Sequence, residues 1–161
     1  MKFRFEKNVL ALLEGSIDIH IHSAPDVYPR LLNDVELAFS AKENGMRAIL
    51  VKNHYFETAG RAQLATDVAD FPVFGGIALN LTNGGLNKHA VKMALKMGAK
   101  EVWMPTVHAD YFVKNKSHVA NLATEIGVDV QGLTLINEDG ALKDELYEIF
   151  DLIKEADAIF A

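Results

Sequence analysis

Apolar, strand-like runs recur along this chain at a nearly constant interval, and helical patterns fill the gaps between them. The runs are Ile17–His22, Ala48–Lys52, Val73–Leu79 and Val102–Val107, with starts 31, 25 and 29 residues apart. Strands alternating with helices at this length predict right-handed βαβ units and a parallel sheet. The runs are almost continuously apolar, as strands covered on both faces must be. Asn33 to Glu43 carries apolar residues at helical spacing, and Gly45 follows as a stop. Asn87 to Met97 repeats the arrangement, with Asn87 as the N-cap and Gly98 as the stop. The junctions Gly45-Met46-Arg47-Ala48-Ile49 and Gly98-Ala99-Lys100-Glu101-Val102 share one design: helix, glycine, buried strand.

Beyond Val107 the pattern changes. Leu133-Thr134-Leu135-Ile136 and Ala141-Leu142 flank Asn137-Glu138-Asp139-Gly140, which predicts a small hairpin. Val128–Val130 is an alternative strand, one repeat length beyond Val102. Lys143 to Ala156 predicts an amphipathic helix, and Ala158-Ile159-Phe160-Ala161 opens a further strand. No linker or low-complexity stretch divides residues 1–161, so a single domain is expected, large enough for a real core.

The net charge of −6 argues against a nucleic-acid partner, which would want a basic patch. The absence of cysteine excludes a disulfide framework and a thiolate metal site, and fits a cytoplasmic protein. Met1 to Leu13 has no long apolar stretch and contains Glu6, so neither a signal peptide nor a membrane span is expected.

The chemistry concentrates in Ser16-Ile17-Asp18-Ile19-His20-Ile21-His22-Ser23. Strict alternation on a strand would put Asp18, His20 and His22 on one face. Two imidazoles two residues apart on a rigid strand can grip one divalent metal, and zinc is a natural choice. The competing reading is a pair of satisfied core histidines.

Asp18-Ile19-His20-Ile21-His22 resembles the D-x-H-x-H of the first strand in the amidohydrolase superfamily of metal-dependent hydrolases. Further stretches resemble an uncharacterised branch of that superfamily: His22-Ser23-Ala24-Pro25-Asp26, Lys52-Asn53-His54-Tyr55-Phe56, Phe74-Gly75-Gly76-Ile77-Ala78-Leu79-Asn80 and Val102-Trp103-Met104-Pro105-Thr106. The resemblance implies a (β/α)₈ barrel of about 250 residues, of which this chain would supply the N-terminal half, with four to five strands. It also implies histidines after strands five and six and an aspartate after strand eight, positions this sequence does not contain. A fragment of a longer protein, a pair of associating half-barrels and a degenerate remnant all fit that shortfall. An open half-barrel exposes two edges and an apolar inner face, so a homo-oligomer is expected.

Several residues are candidates for the site. Lys52 and His54 share parity at the end of the second strand, where such barrels collect their active sites. Lys52 reads as a fixed charge for substrate or an ion-pair partner of Asp18 or Asp26. His54 reads as a proton carrier or ligand, or else a polar loop residue. Asp26, in the first βα loop, is a candidate for proton handling or a plain turn residue. Arg30 is a candidate for a substrate carboxylate or phosphate, or a solvated cation. Asn80 closes the third strand as a substrate-binding candidate. The Gly84-Gly85 loop after it either leads an anion to a helix N-terminus or is a simple tight turn. His108 ends the fourth strand as a second-rank metal ligand, and Pro105 there suggests a local break. Trp103 and Met104 read as core, His89 and His118 as helix surface.

The function expected is hydrolysis of an amide, ester or phosphoester of a small molecule by metal-activated water. His20 and His22 would be the ligands, with His54 or Asp26 handling protons. One alternative is an inactive half-barrel serving as an assembly module. Another is a phosphoesterase of the histidinol-phosphatase type, which also opens with H-x-H.

Overall fold

The structure, a computed structural model, describes residues 10–115 and 132–161. Five parallel strands run in the order β1-β2-β3-β4-β5 and curl into a half-barrel, the partial TIM-type repeat expected from the sequence. They are β1 (Ile17–Ile21), β2 (Ala48–Val51), β3 (Val73–Ala78), β4 (Glu101–Trp103) and β5 (Ile159–Phe160). The helices are α1 (Asp34–Glu43), α2 (Ala59–Ala69), α3 (Lys88–Lys96), α4 (Asp110–Lys114) and α5 (Asp144–Glu155).

Local signals set most of these boundaries. Asn33 and Glu36 form a reciprocal capping box that starts α1. The Asn87 side chain accepts the amides of His89 and Ala90 and starts α3. That helix N-terminus is therefore capped by its own chain, and Gly84 and Gly85, both at positive φ, simply make the preceding turn. The expected hairpin is present as a single antiparallel bridge between Ile136 and Leu142. His89 is exposed on α3, as expected. The readings of His118 and of Val128–Val130 lie outside the described residues.

Two apolar layers cover the outside of the curl. Ala38 and Ala41 of α1 and Ala62, Ala65 and Ala69 of α2 pack on Ile49, Val51 and Val73. Val91 and Ala94 of α3 and Leu146, Ile149 and Ile153 of α5 pack on Ile77 and Val102. The small alanine faces let the helices approach each other and the sheet closely. On the inside, Leu50, Ala78 and Trp103 form a third cluster.

Three departures from the sequence reading stand out, two of them set by backbone hydrogen bonding. β4 ends at Trp103 and does not continue to Val107. Met104 still donates to Ala161, but Pro105 has no N–H to extend the ladder. The second departure concerns Asp18. The register between β1 and β2 shifts between Asp18 and Ile21, a bulge that spoils strict alternation. Asp18 pairs with Ile49 and lines an outer groove with Ile21, Leu37 and Ala41, so it does not share a face with the histidines. Its carboxylate accepts the His20 backbone N–H at 2.9 Å. Lys52, third, has neither of the ion-pair partners expected, because Asp18 lies outside and Asp26 is taken by Arg30.

Candidate functional site

The carboxyl ends of β1 and β2 bring three imidazoles into one row. Ring centroids of His20 and His22 are 5.6 Å apart, and those of His22 and His54 are 4.7 Å apart. His20 also stands 6.0 Å from the Trp103 ring. As placed, no three His, Asp or Glu side chains among the described residues converge on one metal position.

All three rings are held neutral at pH 7. Burial lowers the pKa of His22 to about 4, helped by the positive charges of Arg30 and Lys52 and by His20. Burial lowers that of His54 to about 3, with His22 and Lys52 acting in the same direction. His20 is shifted down by burial and Lys52, against the pull of Asp18. Neutral imidazole is the form that ligates metals or accepts protons.

Fixed partners hold the row. His54 Nδ1 lies 2.9 Å from Thr106 Oγ1, leaving Nε2 as its working nitrogen. Asn80 is fully buried and spends its whole amide on the chain. Its Nδ2 donates to the His54 carbonyl at 2.8 Å and to Thr106 Oγ1 at 2.9 Å. Its Oδ1 accepts the backbone amides of Thr106 and His108 at 2.9 and 3.1 Å. Asn80 thus stitches the ends of β2, β3 and β4 together and positions His54, with no polar atom left over for a substrate. Asn53 Oδ1 accepts the amides of Tyr55 and Phe56 and shapes the turn that carries His54.

The first βα loop supplies Asp26 and Arg30. Arg30 Nε donates to Asp26 Oδ2 at 2.7 Å, and Arg30 Nη2 lies 3.3 Å from His22 Nδ1. A buried network anchors this loop: Ser23 Oγ donates to Asp34 Oδ1, and Arg61 clamps Asp34, the Ser23 carbonyl and the Pro25 carbonyl. Tyr28 and Tyr55 hydroxyls meet at 2.8 Å beneath the loop. Burial and the Tyr28 hydrogen bond push the Tyr55 phenol well above its usual range.

Lys52 points into the curl, its Nζ 4.7 Å from the Trp103 ring centre. Burial pulls its pKa down to about 8, opposed by Glu101. The Glu101 carboxyl is pushed up, chiefly by burial, while Lys52 and a Trp103 hydrogen bond hold it down. The sequence reading did not single out Glu101, since a glutamate after a helix-ending glycine reads as a solvated junction. His108 is fully buried, with its ring edge-on to Tyr55 at 6.4 Å. His54 also stands edge-on to the same phenol, at 6.3 Å.

Among the described residues no helix is long and apolar enough to cross a membrane. No curated protein matches the chain. A family profile does match it over residues 15–161, nearly its whole length. The chain therefore belongs to DUF6282, a family of unknown function.

Proposed function

We propose that the mouth of the half-barrel is a metal-dependent hydrolase centre of the amidohydrolase type, acting on an amide, ester or phosphoester of a small molecule. The observation that carries this reading is the row of neutral imidazoles at the carboxyl ends of adjacent parallel strands. That is where barrels of this kind gather their chemistry.

The donor set fits a divalent metal in type and spacing. Two imidazoles on one tetrahedral zinc, at about 2.1 Å per bond, have ring centres about 5 Å apart. The 5.6 Å between the His20 and His22 rings is close to that spacing. These two would hold the metal, which when bound would polarise a carbonyl or phosphoryl group and acidify water. His54, fixed through Nδ1 by Thr106, would carry a proton on Nε2. Lys52 and Arg30 supply positive charge beside the row, for an anionic part of the substrate. Asp26, buried beside Arg30, holds that guanidinium in place.

The test is elemental analysis of tag-free protein, followed by calorimetric titration with zinc, manganese and cobalt. About one equivalent per chain, abolished in His20→Ala/His22→Ala with circular dichroism unchanged, is the expected result. Binding retained in that double variant, or no binding by the wild type in either chloride or sulfate, would overturn the reading.

A second reading, assembly through the open sheet, rests on different residues. Ile17 and Ile19 on β1 and Ile159 and Phe160 on β5 are 47, 48, 43 and 52 % exposed along the two edges. Sedimentation across a concentration series separates the readings: a metal-free oligomer favours assembly, and a metal-binding monomer favours the hydrolase.

A further inference from the structure

Arg30 sits on the nitrogen that decides whether His22 can bind a metal. Its Nη2 is 3.3 Å from His22 Nδ1. A guanidinium only donates, so Nδ1 accepts. A neutral imidazole then carries its single proton on Nε2, and neither nitrogen has a lone pair to offer. Ligating histidines show the opposite arrangement, with one bare nitrogen on the metal and the other N–H donated to a carboxylate or carbonyl.

A carboxylate for that second arrangement lies on the other side of the shared Arg30 Nη2, and its charge already acts on His22. The Asp26 side chain is 1 % exposed, and its Oδ1 has no hydrogen-bond partner among the described residues. Its Oδ2 accepts from Arg30 Nε and also pairs, at 2.7 Å, with the same Nη2 that caps His22. A buried carboxylate oxygen without a donor is costly to maintain. A donor offered by His22 Nδ1 would relieve that cost. Arg30 keeps 22 % of its side chain open, against 1 % for Asp26. A ligand can therefore reach the cation without entering the cluster.

We propose, on the metal-centre reading above, that Arg30 is an anion-operated latch: it holds His22 in the tautomer that cannot bind a metal, and an oxyanion that draws the guanidinium away frees His22 for the metal. When Arg30 leaves, the imidazole proton passes from Nε2 to Nδ1, where the Asp26 carboxylate receives it as a hydrogen bond. No net proton is gained or lost. Metal and oxyanion then bind with positive coupling, which is reciprocal by thermodynamic necessity. The consequence for substrate class is that the molecule carries a carboxylate, sulfate or phosphate group beside the scissile bond.

The experiment is calorimetric titration of the full chain with cobalt(II), in chloride and in sulfate at equal ionic strength. Sulfate should tighten metal binding by about fivefold or more, the usual floor for such coupling. Arg30→Gln should bind cobalt as tightly in chloride as the wild type does in sulfate, and should lose the salt dependence. Because Arg30→Gln leaves Asp26 buried and unpaired, Asp26→Asn/Arg30→Gln is measured alongside it and should also be insensitive to sulfate. Nitrogen-15 shifts of His22 give a second readout: the Nε2–H form in chloride, and a shift toward Nδ1–H in sulfate. Equal cobalt affinity in both salts, with Arg30→Gln unchanged, overturns the latch and leaves the metal centre standing. No cobalt bound under any condition overturns the metal centre, and the latch with it.

Discussion

The Lys52 ammonium stands 4.7 Å from the centre of the Trp103 ring, inside the curl of the sheet. The side chain is 3 % exposed, so its charge has lost most of its water and keeps the ring face and the field of Glu101 in exchange. Burial dominates, and the amine titrates at about 8 instead of 10.5.

That shift predicts how stability varies in alkali. Between pH 8 and 10.5 the unfolded chain holds a proton on Lys52 that the folded chain has released. Stability from this group therefore rises with pH across that window, and the penalty for burying the charge is full below pH 8. Lys52→Met keeps the length and removes the charge. It should raise Tm at pH 7 by about 2–4 °C, the shift that about 1 kcal/mol gives at this chain size. The gain should vanish above pH 10.5. Thermal melts at pH 7 and pH 10.5 check it, and a lower Tm at pH 7 would show that the cation–ring contact outweighs desolvation.

The histidine row predicts an acid limb. The folded pKa values of His22 and His54, about 4 and about 3, lie below the 6.5 of an unfolded chain. Between those values and 6.5 the unfolded state binds more protons, so stability falls as pH drops from 6.5 toward 4. His54→Gln, which keeps a hydrogen-bonding group near Thr106, should flatten that fall. Urea midpoints at pH 7 and pH 5 measure it, and parallel losses in wild type and variant would contradict the burial of His54 as a neutral ring.

How far the sequence anticipates this molecule differs between fold and site. β1, β2, β3 and β5 are legible because each is an apolar run following a stop signal, and Asn33 and Asn87 mark their helices by capping chemistry. α2 is faint in sequence because its buried face is alanine, which carries little hydrophobic contrast. The bulge in β1 is invisible to alternation, since it arises where the Asp18 carboxylate captures the His20 amide. His20, His22 and His54 stand out because they close strands. The partners of Asn80 do not, because they lie 26 and 28 residues away and meet it only through loops. Glu101 is hidden for the same reason: the charge it meets, Lys52, arrives from the end of β2, across β3, and lies 49 positions away in the chain.

Asn80 provides a direct test of that stitching. Asn80→Ala strands the backbone amides of Thr106 and His108 and takes the donor from the His54 carbonyl. Buried groups left unpaired cost about 1–3 kcal/mol each, and partial relaxation brings the expected total to about 3 kcal/mol. Asn80→Asp keeps the acceptor and loses the two donated bonds, so its loss should be smaller. Chemical denaturation ranks the two variants, and a neutral Asn80→Ala would remove the residue from any structural role.

Gly76 is required by close approach, not by backbone angle. A Cβ built there would sit 2.6 Å from the Trp103 ring and would also collide with the Glu101 carbonyl on the neighbouring strand. The indole can yield, but the carbonyl belongs to the β3–β4 ladder, where Gly76 pairs with Glu101. Gly76→Ala should therefore cost about 1–3 kcal/mol through overpacking. Adding Trp103→Leu opens room for the methyl on the ring side only, so the double variant should recover little relative to Trp103→Leu alone. A double-mutant cycle from urea midpoints reads this directly. Full recovery would mean that the indole alone excludes a side chain at Gly76 and that β3 and β4 can part without cost.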